Sequence, residues 1–406
     1  MPTTSILIGD PRAVKVFSVA LFNRVARKAS FRKRLTGPVP KQAQAEKQLR
    51  EETSHAYPIV EIRDLSKTAG ERVSVDIVDI INGTPVMGDR NISGKMMGLE
   101  FSTDEIRIDQ YRGGVDPGGR MTQQRTTHNL RGLALAALEG WSNRVEDELC
   151  FVHLAGARGY QTGRDWNIPL EAHPEFSQIV VNDVEPPTNN RRFVPGSTDN
   201  LTTDIDSSAL ITLNALDDLR TRIDESDYPL QGIVVEGMQA DEEDPLYVLY
   251  LTSRQWNQMQ QDTSTQNWRQ FMADANTRAH YTKHPLFMGN AGYWRGIIVR
   301  VTRRAIRFPS GSVVNEYDAA GSLGTDTAGV DFDRGILMGA QAMAKVYGRD
   351  AKSKHFWRYH EEETDHGNRV ETSVAMMGGC KKLRFEIDGQ ETDHGVWAVD
   401  SYAPAV

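Results

Sequence analysis

The sequence predicts a mixed α+β fold, and three observations carry the prediction. Apolar residues step by three or four positions from Leu130 to Val152, which is the spacing of one long helix. Strict alternation over residues 72–77 and 105–109 marks half-buried strands. Apolar runs over residues 247–251 and 296–301 read as buried strands, and these strands interleave with helices without a regular beta-alpha repeat.

In chain order, Val14, Phe17, Leu21 and Val25 recur at helical spacing beside Arg24, Arg27 and Lys28. Gly37-Pro38-Val39-Pro40 closes that pattern, so a short basic amphipathic helix on a tether is expected. Its apolar stripe is narrow and lacks interfacial Trp, which separates it from a membrane-surface helix. The two alternating segments flank a Gly- and Met-rich span containing Asn82-Gly83-Thr84-Pro85, Gly88, Gly94 and Gly98, which predicts a projecting hairpin that contacts a partner. The long helix is expected over residues 127–155, with Thr127 as cap, Gly156 as stop, and Leu130, Leu133, Trp141, Val145 and Leu149 on its core face. Such a spine would be roughly 40 Å long at 1.5 Å per residue.

Residues 160–200 read as a Pro-rich loop region. Helical spacing returns over residues 204–224 and 253–277, and a buried strand is expected at residues 232–235, before the acidic loop 241–244. The small and apolar residues of 331–347 suggest a closely packed helix, and the last fifty residues alternate as short strands.

Net charge is −8 over 406 residues, but residues 1–50 hold eleven basic side chains against two acidic ones, leaving −17 on the rest. A basic head on an acidic body points to an arm that meets something anionic: nucleic acid, a membrane surface or the acidic face of another copy. An ordinary solvated helix is the plainer reading of the same charges. No apolar run approaches the roughly 18 residues that would cross a bilayer, and the start has no charged region followed by an apolar core, so no secretory signal and no membrane partner are expected. The two cysteines, Cys150 and Cys380, form no C-x-x-C unit, which excludes a disulfide scaffold or a cysteine-rich zinc module.

Motifs with chemistry are weak. Residues 114–121 have the glycine spacing of a phosphate-binding loop, but Arg120 and Met121 replace the Lys and hydroxyl, and Asp116-Pro117-Gly118-Gly119 is ordinary turn chemistry. His280 and His284 are four apart, yet no Glu follows His280 and Pro285 closes the segment. Thr-Asp-His-Gly occurs at 364–367 and 392–395, so His366 and His394 with nearby carboxylates are candidates for a metal-dependent hydrolase, weighed against turns between strands. No serine, dinucleotide or cysteine catalytic signature is present; the chain is expected to be no enzyme and to need no cofactor or metal.

Four ordered motifs carry a resemblance. Gly119-Arg120-Met121-Thr122-Gln123-Gln124-Arg125 enters the long helix; Arg334-Gly335-Ile336-Leu337-Met338-Gly339-Ala340-Gln341-Ala342 follows; Asp365-His366-Gly367-Asn368-Arg369 precedes Gly378-Gly379-Cys380-Lys381-Lys382. Together they resemble the major capsid proteins of N-four-like tailed bacteriophages, over about residues 60–399.

The resemblance implies the Hong Kong 97-type capsid fold, with residues 1–56 as the N-terminal arm and 57–112 as the extended E-loop. It implies a peripheral (P) domain over 113–231, with the spine helix and the Pro-rich insertion, an axial (A) domain over 232–349, and a return to the P domain over 350–406. Arg24, Arg27, Lys28, Arg32, Lys33 and Arg34 would then face neighbouring subunits or packaged DNA. Val86, Met87, Arg90, Met96 and Met97 would make the E-loop contact. Expected partners are other copies of the chain in hexamers and pentamers, scaffolding and portal proteins, cement or decoration proteins, and DNA without base specificity. The expected place is the virion, assembled in the host bacterial cytoplasm around double-stranded DNA in an icosahedral shell. An encapsulin-like compartment would share the fold and differ in cargo.

Overall fold

The computed structural model describes residues 30–38, 53–63, 70–78, 101–125, 130–162, 166–234, 245–262, 264–282, 291–348, 357–387 and 390–404, with short pieces between 84 and 98 and single residues at 65 and 286. The expected arm helix around residues 14–25 and the acidic loop 241–244 lie outside the described residues.

Two sheets organise the chain around one long helix. Helix α1 (Ser30–Leu35) leads to β1 (Ile59–Ile62), the hairpin pair β2 (Arg72–Val78) and β3 (Phe101–Arg107), then β4 (Asp109–Val115), the short α2 (Arg120–Arg125) and the long α3 (Leu130–Ala155). After α4 (Phe176–Val180) and β5 (Arg192–Phe193) comes α5 (Leu213–Asp224), then β6 (Tyr247–Thr252), α6 (Ser253–Asp262) and α7 (Thr265–Thr282). Strands β7 (Ala291–Trp294), β8 (Ile297–Thr302), β9 (Ile306–Phe308), β10 (Val313–Tyr317), β11 (Leu323–Thr327), β12 (Phe332–Met338) and β13 (Met343–Tyr347) follow. The chain closes with β14 (Trp357–Thr364), β15 (Arg369–Lys382), β16 (Arg384–Ile387), β17 (Gln390–Asp393) and β18 (Val396–Tyr402).

The five-stranded sheet runs β1-β13-β15-β14, with β4 also pairing β15. Strand β15 is the hub: its first half lies between β14 and β4 and its second half pairs β13. Helix α3 crosses this sheet, and Gly113 makes the approach possible, since a Cβ there would stand 2.6 Å from the Trp141 ring. The seven-stranded sheet runs β5-β18-β12-β6-β8-β7, with β9 also on β12. Both faces of it are covered. Tyr247, Leu249, Leu251, Leu337, Trp397 and Val399 join one apolar cluster with α5, α6 and α7, whereas Val248, Tyr250, Ile336, Met338 and Val396 join another with α3. Full burial of one such aliphatic side chain stabilises the fold by about 1.5–3 kcal/mol.

Several expected elements change in the fold. Residues 331–347 form β12 and β13 rather than a helix: from Gly335 to Ala344 every residue but Gln341 is small or apolar, so no period separated helix from a strand covered on both faces. The turn between them places Gln341 at φ +52. Residues 232–234 make no ladder, because Ile233 N–H donates to Leu246 O at 2.8 Å and Val234 N–H to Ala56 O at 3.1 Å, two different segments. The helix expected from 204 begins at Leu213, where the Thr212 hydroxyl accepts the Ala215 N–H. The 253–277 helix is two helices, α6 and α7. Strands β2 and β3 pair only with each other, whereas β1 and β4, at the ends of the expected 57–112 loop, belong to the five-stranded sheet. The last strand likewise leaves β14 and β15 and pairs β12 along its whole length, so residues 350–406 divide between the two sheets.

Candidate assembly interface

The hairpin supplies the most exposed apolar surface among the described residues. Its strands pair from Arg72 with Arg107 to Val78 with Phe101, and Val73, Val75 and Ile77 rest on the buried Ile62, Ile106, Val346 and Phe385. That inner face fixes the register, since a one-residue slip would turn it to solvent. A second anchor is the Glu386 N–H, which donates to Ser102 Oγ at 3.0 Å. Beyond the anchor, Met87 is 71% exposed, Met96 76%, Phe101 65% and Ile92 57%. Val86 is half-buried, whereas Arg90 and the Met97 side chain lie outside the described residues. Exposed apolar side chains gathered on one segment are the kind of surface that a partner can cover.

The root of the arm does something different from what its charge suggested. Helix α1 is packed into the subunit: Phe31 lies 4.1 Å from the Phe151 ring and 5.0 Å from that of Tyr250, and Leu35 is fully buried. Arg32, expected to face a neighbour or DNA, is turned inward onto Glu146 and Tyr347, with Glu61 at 3.6 Å. Arg34 is half-buried beside Tyr250 and Arg300. Arg32 is a correction, and its cause is local amphipathicity: Phe31 and Leu35 must be buried, and a six-residue helix cannot bury them without drawing in a neighbour. Arg24, Arg27, Lys28 and the Lys33 side chain lie outside the described residues.

Arg32 completes a buried charge hub on the long helix. Glu146 also accepts Lys345 Nζ at 2.9 Å and Trp357 Nε1 at 2.9 Å, joining α1, α3, β13 and β14 at one carboxylate. Burial pushes Glu146 up, but Arg32 and Lys345 pull it below the usual carboxylate range. Two further hubs repeat the device. Asp400 is held by Arg334 at 2.7 and 2.8 Å and by Arg192 at 2.7 Å, and Arg192 also binds Glu316 of β10. Asp393 is held by Lys382 at 2.7 Å and Arg384 at 3.0 Å, while burial lowers Lys382 to about 8. Sequence reasoning missed the hubs. The only signal was charge inside apolar runs, as at Arg334 and Lys345.

The long helix keeps Val145 and Leu149 in the core and half-buries Leu130 and Trp141. Leu133, expected in the core, is 55% exposed; Ala134 and Leu138 take the inward face there. Met121, on the short helix before it, is likewise exposed at 62%.

The chemical motifs resolve into structure. Asp116 Oδ1 accepts the Gly118 N–H at 2.8 Å, so the glycine-spaced segment is a turn. Residues 365–367 turn β14 into β15, with Asp365 at φ +54 and His366 at φ +52. Glu361 grips Arg131 of the long helix through two 2.6 Å bonds. His394 follows β17, edge-on to Phe385, and its pKa falls to about 4 through burial and Arg191. No group of three or more His, Cys, Asp or Glu able to hold a metal occurs among the described residues. The His280 side chain and His284 lie outside them.

A family described as phage capsid protein matches residues 5–405, nearly the whole chain. The chain belongs to that family. This capsid protein is 26% identical over 354 residues to the major capsid protein of Pseudomonas phage KPP25, covering 83% of the chain and 85% of the relative. Its fold is similar to the capsid of Ralstonia phage GP4, with a TM-score of 0.70 at 23% identity, covering 100% of this chain and 99% of that one. The cyanophage Pam1 capsid follows at 0.60 and 18% identity, covering 87% and 90%. The architecture is the Hong Kong 97-type α+β fold of phage capsids. As a capsid subunit, the chain has a structural role in the virion.

Proposed function

We propose that the chain is the head-shell subunit that closes an icosahedral particle around double-stranded DNA, assembling in the host cytoplasm with scaffolding and portal proteins. The β2–β3 hairpin carries the reading: a base resting on the subunit's own core and apolar side chains beyond it that stand exposed among the described residues. In this reading the tip bearing Val86, Met87, Arg90, Met96 and Met97 lies over an adjacent subunit, and the exposed Leu133 and Met121 are apolar surface it can cover. Many contacts of this kind, each modest, add up in a closed shell because each subunit makes several at once. The arm before Ser30, with Arg24, Arg27 and Lys28, reaches acidic surfaces of neighbours or the phosphates of DNA. Phosphate contacts of this sort are independent of base sequence and weaken with salt.

Met87→Asp with Met96→Asp tests the hairpin. Expressed with its scaffolding partner, the wild-type chain forms large hollow particles by electron microscopy, and the double variant remains a folded, unassembled subunit. Both residues are exposed, so the unfolding free energy of the isolated variant, from urea denaturation, stays within about 0.5 kcal/mol of wild type. Normal particles from the variant would remove the hairpin from assembly.

A further inference from the structure

Cys150 and Cys380 are far apart in sequence, yet the register of two elements sets them side by side. Cys380 stands opposite Lys345 across the β13–β15 ladder, so both side chains leave the same face of the sheet. Lys345 Nζ reaches Glu146 of the long helix at 2.9 Å. Cys150 follows Glu146 by four residues and shares its helix face. Both thiols are free and both are buried in one apolar cluster, where the long helix packs on β15.

We propose that Cys150 and Cys380 are a latent disulfide pair, which a small peroxide oxidises to a covalent staple between the long helix and β15 within one subunit. The surroundings favour Cys150 as the attacking sulfur. The hydrogen bond from Cys380 lowers its pKa against the effect of burial, and Lys345 and Arg32 add to the lowering; the same hydrogen bond and burial raise that of Cys380. The Cys150 thiolate attacks one oxygen of hydrogen peroxide and the O–O bond breaks. Hydroxide leaves, is protonated to water, and leaves a sulfenic acid. The Cys380 sulfur then attacks Cys150 Sγ, the S–O bond breaks, and the departing hydroxide takes the Cys380 proton as a second water. Two thiols lose two electrons and one peroxide becomes two waters. Burial restricts the chemistry to a small oxidant, since a larger disulfide could not reach either sulfur without opening the core.

The test uses the full-length chain, treated with hydrogen peroxide, quenched, denatured without reductant and exposed to N-ethylmaleimide. The expected product is a monomer lighter by about 2 Da, with no maleimide, yielding one linked peptide that contains both cysteines and separates on reduction. Treated Cys380→Ala should stop at the sulfenic acid, read by dimedone labelling of Cys150. The proposal is overturned if the oxidised wild type still takes two maleimides, if the link joins two chains, or if each sulfur proceeds separately to sulfinic acid. The wild-type measurement stands even if the variant fails to fold.

Discussion

Glu146→Gln isolates what the buried charge hub contributes. The substitution keeps the shape of the side chain and removes its charge. Arg32 retains Glu61 at 3.6 Å, but the ion pair of Lys345 among the described residues is the one with Glu146. A fully buried ammonium would then face a neutral amide. The amide NH2 also points a donor at a site that received three, so either the Trp357 indole, at Oε1, or both Arg32 and Lys345, at Oε2, lose an acceptor. Removing one partner of a buried pair costs about 3–5 kcal/mol. Against a total stability of about 5–15 kcal/mol this is severe. Urea denaturation of the purified subunit, followed by tryptophan fluorescence, reads the loss directly. Adding Lys345→Met should recover at least about 1 kcal/mol, because the orphaned charge is then gone. A single-variant loss below about 1 kcal/mol, or no recovery in the double variant, would refute the claim that the hub ties α1, α3, β13 and β14 together.

Acid should weaken the subunit in two stages. His153 is buried and neutral, its pKa lowered by burial to about 4 although Val180 O accepts from its ring, with Lys382 and Lys381 adding to the lowering. The unfolded chain takes up this proton near 6.5, so stability is whole above that pH and declines as pH falls to about 4, by about 3 kcal/mol. His153→Phe should make that limb shallower without removing it, since His394, also lowered to about 4 by burial, takes up its proton over the same range, and an unchanged slope counts against the assignment. Below pH 4.5 the depressed carboxyls of Glu146, Asp393 and Asp400 protonate in turn, so a second, steeper loss persists in the variant. Two glycines should behave oppositely in thermal unfolding. Gly292→Ala would place a Cβ 1.8 Å from the Phe271 ring and destabilise by about 1–3 kcal/mol, whereas Gly140→Ala, with nothing within 4 Å in a helix interior, should gain up to about 1 kcal/mol.

Local pattern determined much of this protein by itself. Alternation over residues 72–77 specified β2, whereas that over 105–109 caught only the end of β3, which stops at Arg107; the 3.6-residue spacing specified the long helix, whose end at Gly156 follows from a φ of +64 that other residues adopt reluctantly. The ordered motifs were enough to place the chain among phage capsids. Tertiary structure decided what periodicity cannot encode. Residues 332–347 became strands because neighbouring elements cover both faces, and Leu133 stayed outside because Ala134 and Leu138 take the inward face. Charge was the poorest guide. Arg32 and Arg34 read as part of a basic arm, yet the partner carboxylate of Arg32 is Glu146, more than a hundred residues away, and a desolvated charge is stable only where such a partner waits. Cys150 and Cys380 teach the same lesson: no spacing joins them, and only the crossing of α3 over β15 makes them neighbours.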